Sequence, residues 1–337
     1  RPIRDVRLSV TDRCNFRCGY CMPAAVYGPD FAFLPREALL TYEEIAAVAR
    51  ALVQHGARTL RITGGEPLVR RDLPRLVALL RELDALPELE GTPLDLALTT
   101  NGSLLRGLAG PLRAAGLDRL TISLDSLDPA TFARMSGSSL PLQTVLDGID
   151  AAAAAGFSPL KLNAVVRRGM NDAEVIGLVD FARAGGHTLR LIEYMDVGTT
   201  NGWRLDEVVP SAELVRRVDA HYPVDEVDAS RPGEVATRSR FRDGRGEIGF
   251  IASVTAPFCG DCTRIRVSAD GTLYTCLFAA EGHALKPHLR PALDAAGLAA
   301  ALRSAWTARD DRYSEVRGAA GAPGGRDGRV EMFRVGG

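Results

Sequence analysis

Six cysteines in this chain of 337 residues fall into two groups of three. Cys14, Cys18 and Cys21 form C-x3-C-x2-C, and Cys259, Cys262 and Cys276 form C-x2-C-x13-C. Three thiolates suit a four-iron cluster, because three protein ligands leave one iron open to bind a small molecule. The competing reading is structural zinc, which takes four ligands, often completed by His. Neither group has a fourth Cys, and none of the five His lies within either motif. The start Arg1-Pro2-Ile3-Arg4 does not read as a signal peptide, so a cytoplasmic, reducing location is expected. There the cysteines read as metal ligands rather than disulfides.

Such ligands must be held by a scaffold, and the chain patterns one. Apolar, β-rich runs at Val6–Val10, Thr59–Thr63, Leu94–Thr99, Arg119–Leu124, Leu160–Val166 and Thr188–Tyr194 alternate with amphipathic stretches. Thr41-x-x-Glu44 predicts a capping box, Asp72 a cap for a helix running to about Leu86, and Asn171-x-x-Glu174 a variant of the box. Six strand–helix repeats are fewer than the eight that close a full barrel. The fold class expected is therefore α/β, with an open, partial (βα)6 TIM-like barrel over residues 1–197. A smaller C-terminal α+β region, 198–317, carries the second Cys group, and 318–337 reads as a Gly-rich mobile tail ending in Gly336-Gly337. The first Cys group, Gly64-Gly65-Glu66-Pro67, Thr99, Ser123 and Met195 all fall at or just after strand ends. Active sites in βα architectures collect there.

Net charge is −1 and no run approaches the length of a membrane span, so neither nucleic acid nor membrane is an expected partner. Arg7, Arg61 and Lys161 nevertheless lie on core strands, and Arg264 and Arg266 alternate on a later one. Cations there are unusual unless they are paired or bind an anion.

The segment Ser9–Pro23, with Tyr20 inside the Cys motif, and the turn Gly64–Pro67 resemble the two defining motifs of the radical S-adenosylmethionine (SAM) superfamily. The second Cys group within Val254–Arg266, with Cys276 and the Gly336-Gly337 ending, is similar to the GTP 3′,8-cyclase family of molybdenum cofactor biosynthesis. That resemblance implies two [4Fe–4S] clusters: one on Cys14, Cys18 and Cys21 with SAM, and one on Cys259, Cys262 and Cys276 with substrate. It assigns Tyr20, Gly65, Ser123 and Met195 to SAM, and Arg7, Arg61, Thr99, Lys161, Arg264 and Arg266 to GTP. It gives Gly336 and Gly337 a catalytic part in radical transfer to GTP. The implied reaction uses a 5′-deoxyadenosyl radical to take the 3′ hydrogen of GTP, after which C3′ bonds to C8. Implied partners are an electron donor and the next pathway enzyme, cyclic pyranopterin monophosphate synthase, with the chain itself a monomer or homodimer.

Overall fold

The computed structural model describes residues 2–229, 233–319 and 328–336. Residues 320–327 of the expected mobile tail, and Gly337, lie outside the described residues. Six strands appear in chain order: β1 Asp5–Ser9, β2 Thr59–Thr63, β3 Asp95–Thr100, β4 Arg119–Ser123, β5 Lys161–Val166 and β6 Thr188–Glu193. The crossovers carry α1 Tyr42–Gln54, α2 Leu73–Arg81, α3 Leu105–Ala114, α4 Pro129–Ser136, α5 Leu142–Ala154 and α6 Val175–Ala184. After β6 come α7 Ser211–His221 and β7 Val224–Val227, β8 Thr237–Phe241, β9 Glu247–Ile251, β10 Arg264–Val267, β11 Thr272–Tyr274 and β12 His283–Ala284. The chain then adds α8 Ala295–Thr307, α9 Tyr313–Ala319 and α10 Met332–Val335.

Alternation explains how these strands serve a site. Successive side chains on a strand point to opposite faces. Val6 and Leu8, Leu60 and Ile62, Leu96 and Leu98, and Leu120 and Ile122 are all buried in one apolar core with residues of the helices. The intervening positions, among them Arg7, Arg61, Thr99, Thr121 and Lys161, turn inward to a cavity. The six repeats are present as expected, with strand limits within one or two residues of the apolar runs.

The sheet does not stop at six strands. Its order is β12-β11-β10-β1-β2-β3-β4-β5-β6-β9-β8-β7. β10 pairs parallel with β1 and β9 pairs parallel with β6, so the smaller C-terminal region extends both edges of the barrel sheet rather than building a sheet of its own. Antiparallel hairpins finish each edge.

Two helix starts differ from expectation. The capping box at Thr41 and Glu44 forms as predicted. Asp72 instead takes a left-handed backbone with no side-chain cap, and α2 tightens into a 3-10 turn over Glu82–Ala85. Asn171 does not cap either. Its amide donates to the carbonyls of Asp125 and Val165, and its oxygen accepts from Arg167 N–H, so it ties the end of β4 to the end of β5. These side-chain to backbone bonds engage the amide in place of a cap.

Glu193, wholly buried at the end of β6, staples the later region to the barrel. Its carboxylate accepts from the backbone N–H of Ser211, Val254 and Thr255 and from the Thr255 hydroxyl. Glu193→Ala would strand three backbone donors, buried at Ser211 and part-buried at Val254 and Thr255, with a buried one costing about 1–3 kcal/mol. We expect roughly 2–5 kcal/mol lost in denaturant unfolding and faster hydrogen exchange across 253–262. Unchanged stability would contradict the staple.

Candidate active site

The loop after β1 carries Cys14, Cys18 and Cys21, and it is tied down from several sides. Gly65 N–H donates to Thr11 O and Glu66 N–H to Arg13 O, both at 2.8 Å. A Cβ on Gly65 would lie 2.3 Å from Arg13 O, so the close approach of turn and loop demands glycine there. Asn101 reaches Cys14 Sγ at 4.0 Å, and Phe16 N–H donates to the same sulfur at 3.3 Å. Tyr20 donates its hydroxyl to Asp125 at 2.8 Å. Asp125 is held above the usual carboxylate range, at about 6, by burial, although Val165 N–H and Tyr20 oppose the rise. Burial likewise lifts Glu66 to about 7, against hydrogen bonds from Asn101 N–H, Thr100 and Leu68 N–H.

Burial pushes the Cys14 thiol up to about 12, with Glu66 adding to it, and raises Cys18 and Cys21 as well. Cys18 feels both of the other sulfurs, so the three stand in one another's field. Among the described residues, no three His, Cys, Asp or Glu side chains close on one point as a single metal ion requires. A four-iron cluster asks for something else, since each thiolate binds its own iron around a cube. Three neighbouring thiols, all free of disulfides, fit that group.

The second group differs in place and in electrostatics. β10 runs parallel to β1 with Arg264 beside Asp5, so Cys262 lies at the amino ends of the strands. The sequence had gathered the site at the carboxyl ends. The two groups instead bracket the barrel, with the four residue steps of β1, about 13 Å of strand, between their levels. Burial would raise Cys262, but Arg264 and Arg309 beside it outweigh that and bring it to about 6. Burial raises Cys276, while Arg266 works against the rise.

Between the groups lies a cavity of about 400 Å³ lined, among the described residues, by eight basic and four acidic side chains. All three cysteines of the second group line it, as do Arg7, Arg61, Thr99, Lys161, Arg264, Arg266 and Met195. Arg266, Arg7 and Arg61 sit at one level on adjacent strands. Burial lowers Arg7 and Arg61 well below the usual guanidinium range, and each is lowered further by neighbouring arginines. Burial and Arg264 bring Arg266 to about 9. Arg61 donates to Thr99 and Thr121 at 3.1 and 3.0 Å. Ser123 lies half-buried at the top of β4 opposite Asn163, whose buried Oδ1 lacks a hydrogen-bond partner at the cavity wall. Arg119, Arg190, Arg309 and Asp95 also line the cavity, and the sequence reading had passed over them. Alternation could have found three of them, because Asp95, Arg119 and Arg190 occupy the inward phase of β3, β4 and β6.

The tail closes the arrangement. Gly336 is buried, with φ +71°, and a Cβ there would fall 2.0 Å from Thr63 Cγ2. Arg266 donates to the carbonyls of Val335, at 3.2 Å, and Gly336. Gly336 thus reaches the cation layer between the two cysteine groups.

A donor set for an open-iron cluster on the first loop of a partial barrel is the arrangement of a radical SAM protein. Residues 8–182 match the Radical SAM superfamily, and residues 187–315 match Molybdenum Cofactor Synthesis C. Streptococcus suis SuiB bound to S-adenosylmethionine shares the fold, with a TM-score of 0.56 at 14% identity over 82% of this chain and 58% of that one. The chain thus spans less than two thirds of that structure. The GTP 3′,8-cyclase of Acidothermus cellulolyticus is 58% identical over 94% of this chain and 87% of that protein. The proteins of the same name from Xanthomonas axonopodis pv. citri and Staphylococcus aureus are 53% and 41% identical, each over 100% of this chain and 97% of theirs. The protein belongs to the GTP 3′,8-cyclase family of radical SAM enzymes.

Lys161 supplies a pH test. Burial lowers it to about 7, and Arg190, Arg119 and Arg61 lower it further in the same direction. Below that value it is charged before binding; above it, anion binding must draw a proton from solvent to charge it. Inorganic triphosphate binding should therefore weaken as pH rises from 7 to 9, with proton uptake at pH 8 in calorimetry across buffers of different ionisation enthalpy. Lys161→Met should abolish that uptake, and uptake unchanged in the variant would remove Lys161 from the anion site.

Proposed function

We infer that this protein is a GTP 3′,8-cyclase acting early in molybdenum cofactor biosynthesis. The observation that carries the reading is the buried cationic cavity set between two open-iron cysteine groups. A cavity with eight basic and four acidic groups favours a multiply charged anion. A nucleoside triphosphate supplies that charge, and an open iron near Cys262 offers a site for its base.

In this reading Cys14, Cys18 and Cys21 hold the cluster that binds SAM, and Tyr20, Gly65, Ser123 and Met195 contact SAM around it. Arg7, Arg61, Thr99, Lys161, Arg264 and Arg266 hold GTP, while Cys259, Cys262 and Cys276 hold the second cluster. A cluster held by Cys14, Cys18 and Cys21 would supply the electron that splits SAM into methionine and a 5′-deoxyadenosyl radical; this would take the 3′ hydrogen of GTP, C3′ would bond to C8, and a further electron and proton would quench the radical left on the base. The chain's own work is to orient and to exclude water. Arginine forks suit phosphate and base edges bidentately. Thr99, now bonded to Arg61, orients that guanidinium and adds a hydroxyl beside the ligand. Gly336 carries the tail against the substrate, and the Gly336-Gly337 ending takes part in radical transfer.

The barrel over 1–197 then serves SAM and supplies Arg7, Arg61, Thr99 and Lys161 to GTP, while the region 198–317 holds the second cluster and completes the GTP site with Arg264 and Arg266; the two share one sheet. The six cysteines, all free, fit work in the reducing cytoplasm, with an electron donor feeding the clusters. Among the described residues no helix is long and apolar enough to cross a membrane. The product passes to cyclic pyranopterin monophosphate synthase, and the enzyme acts as a monomer or homodimer.

GTP deuterated at C3′ tests the reaction. Anaerobic turnover should place deuterium in 5′-deoxyadenosine and yield a cyclised nucleotide lacking it at C3′. Protonated 5′-deoxyadenosine alone would contradict hydrogen abstraction from that carbon.

A further inference from the structure

The tail reaches the cavity along a path fixed by side chains that no motif announces. It begins at Arg329, whose guanidinium donates to Asp196 O and Oδ2 at 3.1 and 3.3 Å and lies over the Tyr313 ring at 4.1 Å. Asp196 is buried and also pairs with Arg317 of α9 at 2.6 Å. One carboxylate therefore grips the chain on both sides of the stretch 320–327.

Two residues on, Glu331 turns back to the loop that follows Met195. Its carboxylate accepts from Thr199 N–H at 2.9 Å, from the Thr199 hydroxyl at 2.7 Å and from the Thr200 hydroxyl at 3.2 Å. The loop is shaped to receive it. Gly198 has φ +62°, and a Cβ there would lie 2.1 Å from Glu331 Oε2. Phe333, fully buried, then packs edge-on against Tyr27 and Phe33, at 4.9 and 6.5 Å between centroids. The single turn α10 joins this anchor to Gly336, where Arg266 takes the carbonyl.

We propose that Glu331 is the positioning residue of the tail, setting how far Gly336 enters the cavity. The inference rests on the reading of the tail as part of the cyclase site. A helical turn advances 1.5 Å per residue and does not stretch, so a fixed Glu331 fixes Gly336. The hydrogen bonds of Glu331 go to Thr199 and Thr200 rather than to the reacting groups, and its charge bears on Cys21 of the first group, so cluster content is read beside product. Glu331 acts through the tail and couples it to the loop beside Met195.

The test uses reconstituted holoenzyme and two readouts. In Glu331→Ala, hydrogen exchange across 328–336 should rise at least tenfold while cluster content and SAM cleavage persist. Cyclised product should fall about tenfold, as misplacement of a catalytic group by a fraction of its working distance commonly costs that much or more. Glu331→Gln, which keeps an acceptor oxygen, should recover part of both. In a chain lacking 336 and 337, adding Glu331→Ala should cause no further loss of product. Tail exchange unchanged by Glu331→Ala would overturn the positioning role, and so would an equal further loss in the shortened chain. A freed tail with full product yield would overturn its bearing on the reaction. If even the parent protein yields no cyclised nucleotide, the functional reading fails, while exchange still decides whether Glu331 holds the tail.

Discussion

The structure turns on the burial of like charges. Arg7, Arg61 and Arg266 lie at one level of the barrel on neighbouring strands, and burial is the main cause lowering each of them. Taking cations from water into a confined space is costly unless opposite charge meets them. Among the described residues the lining acids are half as numerous as the bases, so the carboxylates described do not balance the cavity. A polyanionic ligand would complete it. The chain as a whole carries a net charge of −1, so the imbalance is local and directed inward.

Everything around that layer follows from having to hold it open and flanked. An incomplete run of βα units leaves a mouth, and strands from the later region continue the parallel sheet on either side. That placement sends the first cysteine loop to the carboxyl ends and the second group to the amino ends, with the cations between. Three carboxylates on or facing the end of β6 lock the parts together. Glu193 holds the segment leading to Cys259, Asp196 holds α9 and the root of the tail, and Glu331 holds the tail itself. Charge-assisted bonds to backbone N–H suit this task, because they are directional and stronger than neutral ones.

Much of this was legible in the residues. The two cysteine groups, the six strands and the capping box at Thr41 each rest on short-range physics, namely ligand spacing, period-two burial and local hydrogen bonding. The four arginines, the lysine and the threonine assigned to the substrate all face one cavity, because strand alternation carries them inward together. What escaped depends on long-range pairing. Nothing within Glu247–Ile251 or Arg264–Val267 states that these strands join β6 and β1, so the second group was not foreseen at the amino ends. Asn171 resembled a cap because its local sequence does, but carbonyls of Asp125 and Val165 claim its amide. Asp196 and Glu331 gave no signal, since their partners lie more than a hundred residues away in the chain.

The most direct test of the account compares GTP with guanosine. Reconstituted protein with SAM and a strong reductant, kept without oxygen, would be assayed by mass spectrometry for 5′-deoxyadenosine and cyclised nucleoside at matched ligand concentrations. If the buried cations seat the substrate through its phosphates, GTP gives cyclised product with a rise in 5′-deoxyadenosine, and guanosine gives neither. Equal cyclisation of guanosine would mean that the cations serve the fold alone and that the central claim is wrong.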